Sequence, residues 1–244
     1  MKIYGHLTCH NEFPDVLRAI ESISPVCDEI LVTYTGEPNT PLREFLEERK
    51  AIYNMRIFDR PFTTLQDQRQ FLLEQTPPFS WVVSIDADEK YSQQLTNQLR
   101  EALHTMGQKH YDTSANDNVP LVYSIPHYNL IEDIWHFDGD PIFHSQKIFY
   151  YRPGLHWDFD EYFTHITYKP GPLSFEKGND TTVYSLVGPK DWILIHYARL
   201  DPKRKEWRKQ HYGDPRFGNY NKESWTDLRN GQPIKPVLLP EEKR

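Results

Sequence analysis

Residues 80–91 read SWVVSIDADEKY, and this stretch decides which fold the rest of the chain is expected to have. The apolar run from Trp81 to Ile85 is typical of a buried strand, and it ends abruptly in acids at 86, 88 and 89. In extended geometry the two carboxylates of an Asp-x-Asp pair lie on one side of the chain, and hard oxygen ligands suit Mg²⁺ or Mn²⁺. The competing interpretation is a solvated turn whose acids precede a helix.

Strand and helix patterns alternate around this stretch through the first hundred residues. Strands are predicted at 2–9, 29–34, 55–61 and 81–85, and helices at 14–23, 41–52, 63–75 and 92–106. Such alternation indicates a parallel sheet with helices on both faces, in which ligands bind beyond the carboxyl ends of the strands. Polar clusters follow three of the strands, so we expect them to face one crevice: 10–12, 33–37 and 86–89.

The second half of the chain is less regular. The sequence predicts a polar loop at 107–120, strands at 121–130, 146–152 and 191–200, and a basic helix at 201–212. We interpret residues 1–212 as one domain, with a regular half at 1–106 and a less regular half at 107–212. Residues 213–244 form a turn-rich tail that is expected to lie on the surface.

Composition narrows the function classes. The chain has 244 residues and a formal net charge of −7, which argues against general electrostatic binding to nucleic acid. It contains no apolar run long enough to span a membrane and no signal-peptide pattern, so a cytoplasmic location, peripheral to the membrane at most, is expected. Cys9 and Cys27 lack metal-site spacing and are predicted to be reduced thiols.

Six segments in order along most of the chain together carry a resemblance. They are CHNE at 9–12, DEILVTYTGE at 28–37, DQRQ at 67–70, SWVVSIDADE at 80–89, QKIFYYRPGLHWDFDEY at 146–162 and a closing IHY at 195–197. They resemble family 2 glycosyltransferases of the GT-A fold, of the bacterial lipopolysaccharide-core type, and SWVVSIDADE looks like the family's Asp-x-Asp strand. The resemblance implies an α/β fold with a mixed, mainly parallel sheet flanked by helices. It also implies that 1–106 is the nucleotide-sugar-binding half and that 107–212 is an aromatic-rich acceptor-side half.

The resemblance also implies roles for individual residues. Asp88 would coordinate a Mn²⁺ or Mg²⁺ ion, His196 would be a further metal contact, and Asp86 would contact the ribose or reach the metal through water. The nucleotide-sugar site would be formed by Thr8, Cys9, Asn11, Glu12, Tyr34, Gly36, Arg69, Asp86 and Ala87. Arg69 would lie near the diphosphate or order the Asp-x-Asp loop.

Two features of the resemblance leave alternatives open. Tyr34, or Thr33 beside it, stands where the family has an acid that reads the base, and Tyr34 could stack on the base instead. An inverting transfer also needs a carboxylate as general base. Glu161 is the first choice and Asp160 the second, while Asp133 belongs to an acidic pair whose alignment is ambiguous.

The sequence therefore predicts a metal-dependent, inverting glycosyltransferase of the hexosyltransferase type. A nucleotide diphosphate sugar, by default a UDP-sugar, would donate to a hydroxyl of a glycan, lipid-linked or other acceptor. The alternative is a catalytically degenerate GT-A-like protein that binds a nucleotide or glycan. A nucleotidyltransferase is disfavoured because CHNEFPD, after the first strand, lacks the glycine and basic residues that would hold a triphosphate.

Overall fold

The computed structural model describes residues 1–10, 15–60, 62, 64–113, 121–130, 136–137, 143–159, 164–168, 184–187, 189, 191–197 and 237–238. The helices are α1 (Asp15–Ile23), α2 (Pro41–Arg49), α3 (Leu65–Glu74) and α4 (Gln93–Thr113). The strands are β1 (Ile3–Cys9), β2 (Glu29–Tyr34), β3 (Met55–Asp59), β4 (Trp81–Asp86), β5 (Glu89–Tyr91), β6 (Leu121–Asn129), β7 (His136–Phe137), β8 (Phe143–Tyr150), β9 (Leu155–Phe159), β10 (Thr164–Tyr168), β11 (Tyr184–Val187), β12 (Leu194–His196) and β13 (Val237–Leu238).

One large sheet organises the described part of the chain. Its nine strands run in the order β3-β2-β1-β4-β8-β6-β12-β5, and β11 pairs with β6 outside this path. The strands β1 to β4 pair in parallel, whereas β8 is antiparallel to both β4 and β6. Beyond them β12 is parallel to β6 and antiparallel to β5. The predicted fold class, a mixed and mainly parallel α/β sheet flanked by helices, is confirmed.

The apolar core lies on both faces of this sheet. On one face Val83 and Ile85 pack in a cluster with buried residues of α1, α2 and α4. On the other face the alternate residue Val82 packs with Leu73 of α3 and Trp157 of β9. This alternation follows from the period of two in a strand. A parallel strand that is covered on both sides is therefore apolar along its whole length, as 81–85 is.

Local sequence signals fix the starts of two helices. Thr64 caps α3 and forms a reciprocal capping box with Asp67. Thr40 caps α2, and Pro41 occupies its first turn, where the missing amide of proline costs no hydrogen bond. These caps satisfy backbone amides that have no partner within the helix. They begin each helix close to the carboxyl end of the preceding strand.

The structure departs from the predicted boundaries in the second half of the chain. The predicted loop at 107–120 was wrong over its first part, because α4 continues to Thr113. A single Gly107 costs about 1 kcal/mol of helix propensity, which a long helix tolerates. The predicted strand at 191–200 is confined to Leu194–His196 within the described residues.

Candidate active site

The carboxyl ends of three parallel strands meet beside the acidic cluster. In the sheet register Thr8 of β1 lies between Thr33 of β2 and Asp86 of β4. Beyond these positions the Thr35 amide donates to the Cys9 carbonyl and the Ala87 amide to the Thr8 carbonyl. The strand ends that the sequence placed at one crevice are thus adjacent in the described structure.

Residues 86–89, here called the acidic turn, reverse the chain between β4 and β5. Ala87 and Asp88 form the turn, and Glu89 already belongs to β5. The Glu89 carboxylate accepts the Asp86 backbone amide at 2.8 Å, which closes the turn. The expectation of an extended Asp-x-Asp segment is therefore wrong, because β4 ends at Asp86. As a result, the two aspartates contact different groups.

Asp86 is held by three side chains from distant parts of the chain. Thr8 donates its hydroxyl to Oδ1 at 2.9 Å. Arg69 of α3 donates to both carboxylate oxygens at 2.7 Å from one nitrogen. Lys147 of β8 donates to Oδ2 at 2.7 Å. Arg69 is itself buried, with its guanidinium 5.0 Å from the Trp157 ring centroid, so this arrangement belongs to the core as much as to the crevice.

The charges around the acidic turn shift two carboxyl groups in opposite directions. Removal from water acts to raise the pKa of Asp86, but the cations of Arg69 and Lys147 outweigh it and hold that pKa well below its usual range. Glu89 is 2% exposed, and burial raises its pKa in spite of the Lys147 ammonium. The neighbouring charges of Asp86 and Asp88 act in the same direction as burial. Of these two groups, Asp86 is therefore the more firmly ionised.

Lys147 is the residue that sequence reasoning missed. Its ammonium contacts Asp86 at 2.7 Å and Glu89 at 2.5 Å, and only 7% of the residue is exposed. A signal was present, since QKIFYY places a lysine two positions from Phe149 on one face of an apolar strand. A lysine on such a face indicates a buried anionic partner.

Asp88 lies on the other side of the acidic turn, against β12. Its carboxylate is 3.3 Å from Nε2 of His196, and its backbone carbonyl accepts the Tyr197 amide at 2.8 Å. The His196 ring packs edge-on against His127 of β6, with ring centroids 5.2 Å apart. Two residues that the resemblance named as metal contacts, separated by more than a hundred positions in the chain, are thus neighbours.

The described residues fit a divalent cation only in part. Within these ranges, no group of three or more His, Cys, Asp or Glu side chains is arranged to hold a metal ion. Asp88 and His196 supply one carboxylate oxygen and one imidazole nitrogen at the mouth of the strand ends. Mg²⁺ and Mn²⁺ commonly take the rest of their ligands from water and substrate phosphates. A site with two protein ligands therefore fits this chemistry, whereas Asp86 is already engaged by Arg69 and Lys147.

Several residues predicted to line the nucleotide pocket have internal roles instead. Tyr34 is fully buried, and its hydroxyl bonds the Glu37 carbonyl at 2.6 Å and the Thr40 hydroxyl at 2.7 Å. Its ring therefore offers no exposed face for a base. A Cβ on Gly36 would lie 2.2 Å from the His10 carbonyl oxygen, so only glycine fits there. Burial raises the pKa of the Cys9 thiol to about 12, which makes this thiol unreactive.

Some of the predicted site residues cannot be placed. Five predicted site residues lie outside the described residues: Asn11, Glu12, Asp133, Asp160 and Glu161. The predicted basic helix at 201–212 lies outside them as well. Both cysteines are free, as predicted. Among the helices of the described residues, none has the length and apolar character needed to cross a membrane.

Comparisons with known proteins find only distant structural matches. No family model matches the chain, and no curated protein matches it. Among solved structures, S. aureus TarS matches with a TM-score of 0.43 and 14% identity over 62% of this chain and 28% of its own. A 4-diphosphocytidyl-2C-methyl-D-erythritol synthase from Anaerococcus prevotii matches with a TM-score of 0.39 and 12% identity, over 78% of this chain and 88% of its own.

A Bacillus anthracis protein described as a glucose-1-phosphate thymidylyltransferase also matches. Its TM-score is 0.39 and its identity 9%, over 61% of this chain and 71% of its own. The chain thus spans less than a third of the TarS chain that it matches. At TM-scores below 0.5 these matches assign neither a family nor a function to the chain.

Proposed function

We propose that this chain is a metal-dependent, inverting glycosyltransferase that moves a sugar from a nucleotide diphosphate sugar to an acceptor hydroxyl. The observation that supports it best is the pairing of Asp88 with His196 at 3.3 Å, at the carboxyl ends of β4 and β12. The sequence resemblance implies that both residues contact the metal, and it does so independently of the distance between them. The edge at which they meet is where ligands of such sheets bind.

The proposal gives each part of the site a distinct task. Asp88 and His196 would hold a Mn²⁺ or Mg²⁺ ion, which supplies positive charge to stabilise a departing diphosphate. The turn that presents Asp88 is fixed by the bonds of Arg69, Lys147 and Thr8 to Asp86. Such fixed geometry favours catalysis because little reorganisation is needed during the reaction. Glu161, Asp160 and Asp133 stay the proposed general bases.

The test is sugar-nucleotide hydrolysis, which needs no acceptor. UDP-, GDP- and TDP-sugars are incubated with the protein in Mn²⁺ or in EDTA, and release of the nucleoside diphosphate is measured. We expect turnover with one nucleotide class, UDP by default, that depends on the metal. Asp88→Asn is expected to lower this rate on the order of 100-fold. Glu48→Gln, on an exposed position of α2, is the matched carboxylate control and should leave the rate unchanged.

Two observations favour a second candidate function. Asp86 is fully engaged by internal donors, and Tyr34 is a core residue at the place where the family reads the base. Both features fit a GT-A-like protein that binds a nucleotide or glycan without catalysis. Calorimetry of UDP binding with and without Mn²⁺ separates the two functions. A binding protein of this kind shows no metal-linked affinity and no turnover with any sugar nucleotide.

A further inference from the structure

Lys147 is a buried cation at the centre of the acidic turn. Its ammonium lies within 2.7 Å of an Asp86 oxygen and 2.5 Å of a Glu89 oxygen, and β8, which carries it, pairs with β4 and β6 in the middle of the sheet. A buried ammonium is costly unless carboxylates surround it. The position of Lys147 is thus fixed both by the sheet and by the two charges that it contacts.

The carboxylate of Asp86 has no acceptor capacity left. An ionised carboxylate offers about four lone-pair positions. In this structure Oδ1 accepts from Thr8 and Arg69, while Oδ2 accepts from Arg69 and Lys147. A divalent cation bound directly to Asp86 would have to displace one of these donors. It would also approach two positive charges that already lie at hydrogen-bond distance from the same oxygens.

We propose that Lys147 is a built-in counter-ion that, together with Arg69, reserves Asp86 for holding the acidic turn and leaves Asp88 and His196 as the protein ligands of the cation. Lys147 is a positioning residue in this scheme, since it acts through Asp86 and Glu89. The inference rests on the proposed function only for the presence of a cation site. Its electrostatic part concerns the charge balance of the turn and can be tested without any metal.

The first experiment is a Mn²⁺ titration of the whole chain, in which electron paramagnetic resonance measures the free and bound ion. Asp88→Asn is expected to weaken Mn²⁺ binding at least tenfold, as for the loss of a group that orients or binds a metal. Asp86→Asn, which keeps the size of the side chain and one acceptor oxygen, is expected to weaken Mn²⁺ binding by a smaller factor than Asp88→Asn does, because Asp86 does not touch the ion in this scheme. An Asp86→Asn variant that is folded but loses Mn²⁺ as completely as Asp88→Asn overturns the inference.

The second experiment measures thermal unfolding in EDTA. Lys147→Met keeps the volume and removes the charge, and it should lower Tm on the order of 10 °C, as expected when one partner of a buried ion pair is lost. Lys147→Met combined with Glu89→Gln removes one charge of each sign and should regain at least half of that loss. Lys2→Met, at an exposed lysine, is the matched control.

The rescue distinguishes a counter-ion from a side chain that merely fills space. If Lys147 only packs, Glu89→Gln cannot compensate for its loss, and an additive double variant overturns the inference. Should Lys147→Met alone fail to fold, a folded double variant demonstrates the same rescue, and an unfolded one contradicts it. A chain that binds no Mn²⁺ at all refutes the metal-dependent transferase, whereas the rescue in EDTA still decides the role of Lys147.

Discussion

The two sides of the acidic turn place the same residue type in opposite situations. On one side Asp86 is matched by Arg69 and Lys147, so its charge is balanced by the protein. On the other side Asp88 faces a histidine at 3.3 Å, a group that is charged only when protonated. Two residues apart in sequence, one aspartate stabilises the fold and the other is suited to meet a ligand. Position relative to fixed cations, more than acidity, separates the two roles.

The comparison predicts that changes on the Asp86 side act on stability first. Arg69 is 4% exposed and holds both oxygens of Asp86. Arg69→Met removes one of the two cations and should lower the free energy of unfolding by about 3–5 kcal/mol, as measured by urea denaturation. Arg49→Met, at an exposed position of α2, should stay within about 0.5 kcal/mol. A loss below about 1 kcal/mol for Arg69→Met would remove the basis of the comparison.

The hydrogen bond that Thr8 donates to Asp86 reports on the charge of that carboxylate. The hydroxyl of Thr8 donates to the Asp86 carboxylate at 2.9 Å, and that of Thr96 donates to the Ser22 carbonyl at 2.9 Å. The two threonines are 6% and 7% exposed, so they differ mainly in the acceptor. Thr8→Val should cost about 1.5–3 kcal/mol, because the acceptor is charged, and Thr96→Val about 1 kcal/mol.

Urea denaturation of both valine variants, made also in an Asp86→Asn background, tests the assignment. The cost of Thr8→Val should shrink when the carboxylate is replaced, while that of Thr96→Val should not change, since distant sites are additive. Equal costs for the two threonines in the native background would mean that Asp86 does not behave as a charged acceptor.

The Asp86 side also shows where sequence reasoning reaches its limit. The strands β1 to β4 were predictable because each is a short apolar run bounded by turn residues, and their parallel pairing was predictable because they alternate with helices. The pairing of the acidic cluster with Lys147 was not predictable from the sequence. Lys147 lies 61 positions after Asp86, on β8, and this strand joins the sheet antiparallel to β4. Periodicity places a residue on a face of a strand but does not say which strand lies next to it.

The short strand β5 illustrates the same limit from the other side of the turn. The competing interpretation of the sequence placed the acids at 86, 88 and 89 in a solvated turn before a helix, yet Glu89 begins a strand that pairs with β12 through Lys90 and Ile195. Three residues with two charges carry no strand signal of their own. The strand forms because it pairs with the edge of β12 that lies opposite β6. In contrast, Asp88 and His196 were named in advance, since the resemblance carried long-range information that local patterns lack.

On the Asp88 side we expect substitutions to change Mn²⁺ affinity much more than the free energy of unfolding. His196→Gln removes the imidazole next to Asp88 and should change the free energy of unfolding by less than about 1 kcal/mol, as for partly exposed pairs. The same change should weaken Mn²⁺ binding on the order of tenfold. Urea denaturation and a Mn²⁺ titration of one preparation give both numbers. A large loss of stability with unaltered Mn²⁺ affinity would place His196 with the structural residues of the Asp86 side.

The smallest change in the free energy of unfolding is expected at a carboxylate far from the acidic turn, which serves as the reference for an exposed ion pair. Asp28, just before β2, accepts the Ile3 amide at 2.8 Å and pairs with Arg100 of α4 at 2.5 Å. Burial acts to raise its pKa, but Arg100 and the Ile3 amide together lower it below the usual value. The Arg100 side chain is 44% exposed, so solvent screening limits the contribution to less than about 1 kcal/mol.

The direction of the pKa shift of Asp28 sets the pH dependence. A carboxyl whose pKa is lower in the folded state stabilises the fold above its unfolded pKa, and this stability is lost as the pH falls through the folded pKa. Asp28→Asn should therefore reduce the free energy of unfolding at neutral pH and have less effect at about pH 3. Urea denaturation at the two pH values measures the difference. If the cost at neutral pH equals that of Arg69→Met, peripheral and central ion pairs in this sheet are equivalent, and the special status of the Asp86 side is lost.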